Sequence, residues 1–245
     1  MSIIHYKLDL ILQLVDATTG SSVDEQNVQI YSNGEPQTPI SRGNGNFVFI
    51  NTGRSDHTLT LRVFGYEDCQ VNVQYEKLDE RMPLMQVFLI PSENFAKGER
   101  LLSLSGNLPN LEEIEAVSLT QSNYFTSEFN ERKRLLKLFL PQGRLSMGNV
   151  HYGLINEEQN RYEHIEIVDE VLPDTVRLKE PLQETFKVNA PISKVIFGKV
   201  SPDGSYLLRI RDNAKVQRYL VRYRVNGETR FQIVDFNQCR ENELK

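Results

Sequence analysis

The stretch Leu8-Asp9-Leu10-Ile11-Leu12-Gln13-Leu14-Val15-Asp16-Ala17-Thr18-Thr19-Gly20 decides how the first part of the chain folds. Leu8, Leu10, Leu12 and Leu14 alternate with Asp9 and Gln13. Period-2 alternation puts one set of side chains on one face of a strand, so one face is buried and the other is not. From Asp16 to Gly20 the pattern stops, in short polar side chains that bond to nearby backbone and a glycine free to take positive φ.

Further strands are predicted outward from this one at 27–32, 46–50, 58–64, 69–75 and 84–90. Turns separate them at Asn33-Gly34, Gly43-Asn44-Gly45, Thr52-Gly53, Phe64-Gly65 and Met82-Pro83. Short strands with a turn every 8–12 residues predict a β-sandwich, and 3.6-residue periodicity is absent. Residues 95–110 carry Gly98, Gly106, Asn107, Pro109 and Asn110 and read as a linker, within which Leu101, Leu102 and Leu104 suit a short strand. Beyond it, strands are predicted at 111–120 around Ile114, Ala116 and Ser118, and at 161–168 and 174–179 about the turn Leu172-Pro173-Asp174. Ser127–Leu140 reads as a basic loop leading into the strand Leu135–Leu140, with a helix capped by Ser127 as the alternative. Ser201-Pro202-Asp203-Gly204 joins 194–200 to 205–211, and Asn226-Gly227, the strongest hairpin signal present, joins 216–225 to 228–236. The expected fold is all-β: a sandwich over 1–94, a linker over 95–110, and an antiparallel β-rich domain over 111–245 that ends in a meander.

The strand ending in Val15-Asp16-Ala17-Thr18-Thr19-Gly20, followed by Val28-Gln29-Ile30, Gly45-Asn46-Phe47-Val48-Phe49 and Val63-Phe64-Gly65-Tyr66-Glu67, resembles the prealbumin-like superfamily over residues 6–91. That group includes transthyretin, the hydroxyisourate hydrolases and the carboxypeptidase regulatory-like domains. The resemblance implies an Ig-like sandwich. The hydrolases carry a histidine just before the Asp-x-x-Thr-Gly turn, where this chain has Gln13, which cannot act as a general base near neutral pH. They also end in Tyr-Arg-Gly-Ser, where this chain runs Val87-Phe88-Leu89-Ile90-Pro91-Ser92. The resemblance therefore implies a binding or spacer domain and no hydrolase.

The chain has 245 residues, no tryptophan, and 28 basic against 33 acidic residues, a net charge of −5. The charge is uneven: residues 1–93 hold 6 basic and 12 acidic residues, leaving 22 and 21 for the remainder. No apolar run approaches the roughly 20 residues of a membrane-spanning helix. Lys7 and Asp9 stand where a secretory signal would be apolar, so cytoplasmic synthesis and assembly are expected. Cys69 and Cys239, 170 positions apart, are expected to be free thiols, Cys69 as a small core residue.

No motif for catalysis, cofactor or metal emerges. Of the four histidines, only His5 and His57 are read as sharing a domain, and His57 follows the turn 53–56 as a solvated loop residue. His164 and Glu166 lie at i and i+2 and face one way, but no third metal ligand has suitable spacing, so they read as an exposed polar face with Glu163, Asp169 and Glu170. No serine lies in Gly-x-Ser-x-Gly or Ser-x-x-Lys, and Gly43-Asn44-Gly45 lacks the helix and lysine of a phosphate loop.

The C-terminal region carries a basic run. Arg209, Arg211, Lys215, Arg218, Arg222, Arg224 and Arg230 are set against Asp212 and Glu228. Alternation places Arg218, Leu220, Arg222 and Arg224 on one face, expected to look outward, and Tyr219, Val221, Tyr223 and Val225 on the other. Arg209, Arg211, Arg218, Arg222 and Arg224 thus form the candidate protein-contact surface, with the acidic N-terminal domain of a second copy as a natural partner. The overall acidity, a net charge of −5, argues against nucleic acid. The expected function is that of a non-enzymatic structural or adaptor protein, whose partners are copies of itself or other subunits of a phage tail or contractile tail-like particle. The alternatives are a carbohydrate- or cell-surface-binding module, for which Tyr31, Tyr66, Tyr75, Tyr124, Phe125, Tyr152 and Tyr162 are available, and an enzyme of unknown type in 111–245.

Overall fold

A computed structural model describes residues 7–23, 27–93, 101–139, 150–212, 218–236 and 244. Cys239, His5, Lys215 and residues 95–100 of the predicted linker lie outside these residues. By its contacts the chain divides into two compact units, Met1–Ala17 with Ser21–Gly98, and Glu99–Lys245 with Thr18–Gly20. Both are built of β-strands, mostly antiparallel, and among the described residues the only helical segments are two three-residue 3₁₀ turns.

The first unit contains β1 (Leu8–Asp16), β2 (Val28–Ser32), β3 (Glu35–Gln37), β4 (Ile40–Ser41), β5 (Asn46–Ile50), β6 (His57–Val63), β7 (Cys69–Val73) and β8 (Leu84–Leu89). They form two sheets, ordered β4-β5-β1-β8 and β3-β2-β6-β7. The alternation in β1 sets its register: Leu10, Leu12 and Leu14 are fully buried with Phe47, Phe49, Leu59, Leu61 and Leu89 in a single core. Strands β1 and β8 run parallel. Cys69 is half-buried against this core. Asp9 is also buried, because its carboxylate accepts from the N–H groups of Thr52 (2.7 Å) and Gly53 (3.1 Å) and so closes the turn after β5.

The turn before β5 is fixed by Gly45. Its φ is +72°, and a Cβ there would sit 2.6 Å from the Leu14 carbonyl oxygen. The Gly45 carbonyl in turn accepts from the Leu14 N–H at 2.9 Å. Gly45→Ala meets both a strained dihedral and a backbone wall. It is expected to lower the stability of the sandwich by about 2–3 kcal/mol, measurable by urea denaturation.

The second unit contains β9 (Leu101–Asn107), β10 (Leu111–Ser118), β11 (Tyr124–Asn130), β12 (Leu135–Phe139), β13 (Val150–Asn156), β14 (Arg161–Leu172), β15 (Thr175–Leu178), β16 (Pro191–Lys194), β17 (Ile196–Phe197), β18 (Lys199–Val200), β19 (Ser205–Arg211), β20 (Arg218–Val225) and β21 (Glu228–Asp235). The region 127–139 holds the end of one strand, a 3₁₀ turn and the whole of β12, and no α-helix. Asn226 and Gly227, at φ +52° and +77°, form the tight turn between β20 and β21 that the sequence predicts.

One expectation is corrected here. Residues 101–107, expected to hold at most a short strand around Leu101, Leu102 and Leu104 within a linker, form a full strand paired along its length with β19. Leu102 and Leu104 supply its inner face, Ser103 and Ser105 point away, and Gly106 is covered by the Tyr206 ring. Small polar residues here are the outer half of an alternating strand, and their composition mimics a loop.

The second unit is layered. A three-stranded sheet, β18-β19-β9, packs on the four-stranded sheet β17-β10-β20-β21 through Leu104, Ile114, Ala116, Leu208, Tyr219 and Val221. Strands β11-β12-β15-β14-β13-β16 close into a barrel filled by Leu136, Tyr152, Leu154, Ile165, Ile167 and Ile192. The barrel's outer wall meets the far face of the four-stranded sheet through a small separate core of Val117, Ile155, Tyr162, Val195 and Leu220. Gly153 makes that approach close, since a Cβ on it would lie 2.6 Å from Val117 Cγ1 and 2.7 Å from Tyr162 Cδ2.

Candidate functional site

The far face of the four-stranded sheet is the face on which alternation places Arg222 and Arg224. Strand pairing aligns Phe197, Glu115, Arg222 and Phe231 in one row across it, with Val117, Leu220 and Ile233 in the next. The barrel covers much of this face, so a charged row is trapped beside an apolar one. Each charge must therefore find a partner inside the seam.

Glu115 is the centre, at 5% exposure. Its Oε1 accepts from Arg222 at 2.8 Å and from the Tyr162 hydroxyl at 3.1 Å, and its Oε2 is 2.8 Å from His164 Nδ1. Burial pushes the carboxyl up, but the hydrogen bond and charge of His164, followed by Arg222, outweigh it, and Glu115 titrates below its ordinary value. Burial and the Glu115 charge together keep Tyr162 a neutral phenol. Because Glu115 is a carboxylate, His164 must present Nδ1–H to it.

The chain continues. His164 Nε2 is 2.8 Å from His151 Nδ1, and the two rings stand edge-on with centroids 5.0 Å apart. Phe197 packs against both. His151 is held down to about 4, first by burial and then by the charge of His164, so its ring is neutral at pH 7. The result is a carboxylate, an imidazole and a second imidazole in hydrogen-bonded series. Two nitrogens on one tetrahedral zinc ion would be about 3.3 Å apart. The 2.8 Å spacing is instead that of a hydrogen bond, and among the described residues no group of three histidine, cysteine, aspartate or glutamate side chains is arranged to hold a metal.

His164 opens on one side into a cleft of about 550 Å³ lined also by Arg161, Glu166, Lys179, Arg222 and Phe231. The charges around it are largely matched: Lys179 with Glu166 at 2.8 Å, Arg161 with Glu184 at 3.1 Å, and Arg222 with Glu113 at 3.2 Å. Neither a protein-family model nor a curated protein matches the chain.

The five predicted contact arginines are not brought together. Arg209 and Arg211 lie on β19, in the three-stranded sheet, and Arg209 is buried at 5% exposure. Arg218, Arg222 and Arg224 share β20, but only Arg218 is fully exposed. Arg222 is 20% exposed and clamped to Glu113 and Glu115, and Arg224 pairs with Glu112 at 2.7 Å and Glu113 at 3.3 Å. The outward stripe is thus corrected to a cross-strand ladder, because the acidic complement sits on the neighbouring strand β10. Leu220, on the same face, is fully buried.

The histidines also differ from expectation. His151 and His164 share one unit and touch, and His164 with Glu166 borders a seam and a cleft instead of an exposed face. Tyr152 and Tyr162 are core residues at 1% and 4% exposure, Tyr124 stacks edge-on against Tyr152, and Tyr66 donates to Asp16, so these tyrosines make no common platform. Glu115 was missed altogether. The signal for it is the apolar residue on each charged face, Val117 beside Glu115 and Leu220 beside Arg222, which marks a strand buried on both sides.

Proposed function

We propose that the chain is a non-enzymatic structural or adaptor protein that works through protein–protein contacts, as a subunit of a phage tail or contractile tail-like particle. The observation that carries this reading is the outer edge of the second unit. Among the described residues β21 is the last strand of its sheet, eight residues long, with Glu228, Thr229, Arg230 and Ile233 exposed. An edge of that length is a template for a strand from another chain. Arg222 and Arg224 on the hairpin's inner strand are paired with carboxylates of β10 within the unit, and the outer edge is a surface left on offer. The resemblance of the sandwich to prealbumin-like domains supports the same reading, since such small sandwiches serve as spacers and decorations.

Size-exclusion chromatography with light scattering tests it. The protein is expected to form multimers of defined mass, and Arg230→Glu combined with Ile233→Lys is expected to weaken association at least tenfold, while Arg222 and Arg209 are left untouched because they hold the fold. A monomer at concentrations on the order of 100 μM, far above micromolar dissociation constants, with no binding to other particle subunits, overturns the reading.

A further inference from the structure

We propose that Glu115, His164 and His151 form a proton-operated latch between the four-stranded sheet and the barrel, closed while at most one of the two imidazoles is charged and opened when both are. Glu115 belongs to β10 in the sheet, His164 to β14 and His151 to β13 in the barrel wall, so the 2.8 Å contact of His164 with Glu115 crosses between the layers. The 2.8 Å contact of His164 with His151 lies within the barrel wall and meets the sheet through Phe197 of β17, which packs against both rings. With both rings neutral, His164 donates Nδ1–H to Glu115 and accepts at Nε2 from His151 Nδ1–H. A first proton placed on His164 Nε2 reverses that second bond, and His151 then accepts at Nδ1 and carries its own proton on Nε2. Both states keep the chain intact. A second proton leaves two N–H donors facing each other with no lone pair between them, and two positive rings in contact.

The surroundings decide how sharply this happens. From the sheet, Glu113, Glu115 and Arg222 face the pair; from the barrel wall, Tyr162, Glu166 and Lys179 do so, with Arg161, Glu163, Glu180 and Glu184 further along the cleft. Glu166 and Glu115 favour a charged His151, but burial and His164 outweigh them. In the unfolded chain a histidine takes its proton near 6.5, whereas His151 in the fold takes it only near 4. The unfolded state therefore binds more protons in this window, and the contribution of His151 is present above about pH 6.5 and lost as pH falls towards 4. Glu115, whose carboxyl lies below its ordinary value, loses its contribution in the same direction at still lower pH. Opening would uncover Val117, Ile155, Leu220, Phe197 and Phe231, the apolar seam.

Two measurements test the latch. Imidazole nitrogen NMR on the unaltered protein should show His151 neutral at pH 5.5 and His164 protonated at Nδ1 throughout. On acidification, binding of a hydrophobic dye should rise at least fivefold while far-ultraviolet circular dichroism persists. His151→Gln, which bonds to His164 but cannot charge, should move the midpoint of that rise down by about one pH unit. A His151 that titrates near 6.5, or a dye midpoint that His151→Gln leaves in place, overturns the proposal. The NMR result decides alone if the variant does not fold.

Discussion

Arg222→Ala is expected to cost the second unit about 3–5 kcal/mol. The guanidinium is 20% exposed and holds both Glu113 and Glu115, the latter with 6% of its side chain exposed. Removing it leaves a buried carboxylate with His164 and Tyr162 as its remaining donors. It also removes the aliphatic stem that lies beside Phe231 in the same row. Arg222→Lys should recover part of the loss, because one ammonium reaches one of the two carboxylates but not both in fork geometry. Arg218→Ala, at the exposed start of the same strand, should stay within about 0.5 kcal/mol of the unaltered protein. Urea denaturation at pH 7, with the transitions of the two units resolved separately, gives all three values.

The second large effect belongs to Gly153. Gly153→Val places a branched Cβ where Val117 Cγ1 and the Tyr162 ring already stand within 2.7 Å. Neither neighbour can yield easily, since Val117 is fully buried and Tyr162 is held by its bond to Glu115. The sheet and the barrel wall must separate, with a loss of about 3 kcal/mol. The barrel interior is expected to survive, because Tyr152 and Leu154, the chain neighbours of Gly153, point the other way into their own core. Hydrogen exchange that rises in β10 and β20 and is unchanged in the barrel strands checks this.

The all-β class and most strand positions were legible in the sequence because alternation and turn residues are local. Leu10, Leu12 and Leu14 predict their own burial, and Asn226-Gly227 predicts its own hairpin. Residues 101–107 were legible only as a short strand at Leu101, Leu102 and Leu104 inside a linker, because a strand with serine and asparagine on its outer face has the composition of a loop. The site was almost illegible. Glu115 and Arg222 are 107 positions apart, and Glu115 and His164 are 49 apart, so only the register of β10 on β20 and the packing of the barrel bring them together. The arginine-rich face was read correctly as one face of β20. What alternation could not say is what lies on it, and here the acidic side chains of β10 and the wall of the barrel do.

The central claim is that Glu115 energetically joins the sheet to the barrel through His164. A double-mutant cycle with Glu115→Gln, His164→Gln and the pair, measured by urea denaturation of the second unit at pH 7, isolates that term from the cost of stranding Arg222. The predicted coupling is about 1–3 kcal/mol, in keeping with a hydrogen bond to a charged group. Losses that add to within about 0.3 kcal/mol would contradict it.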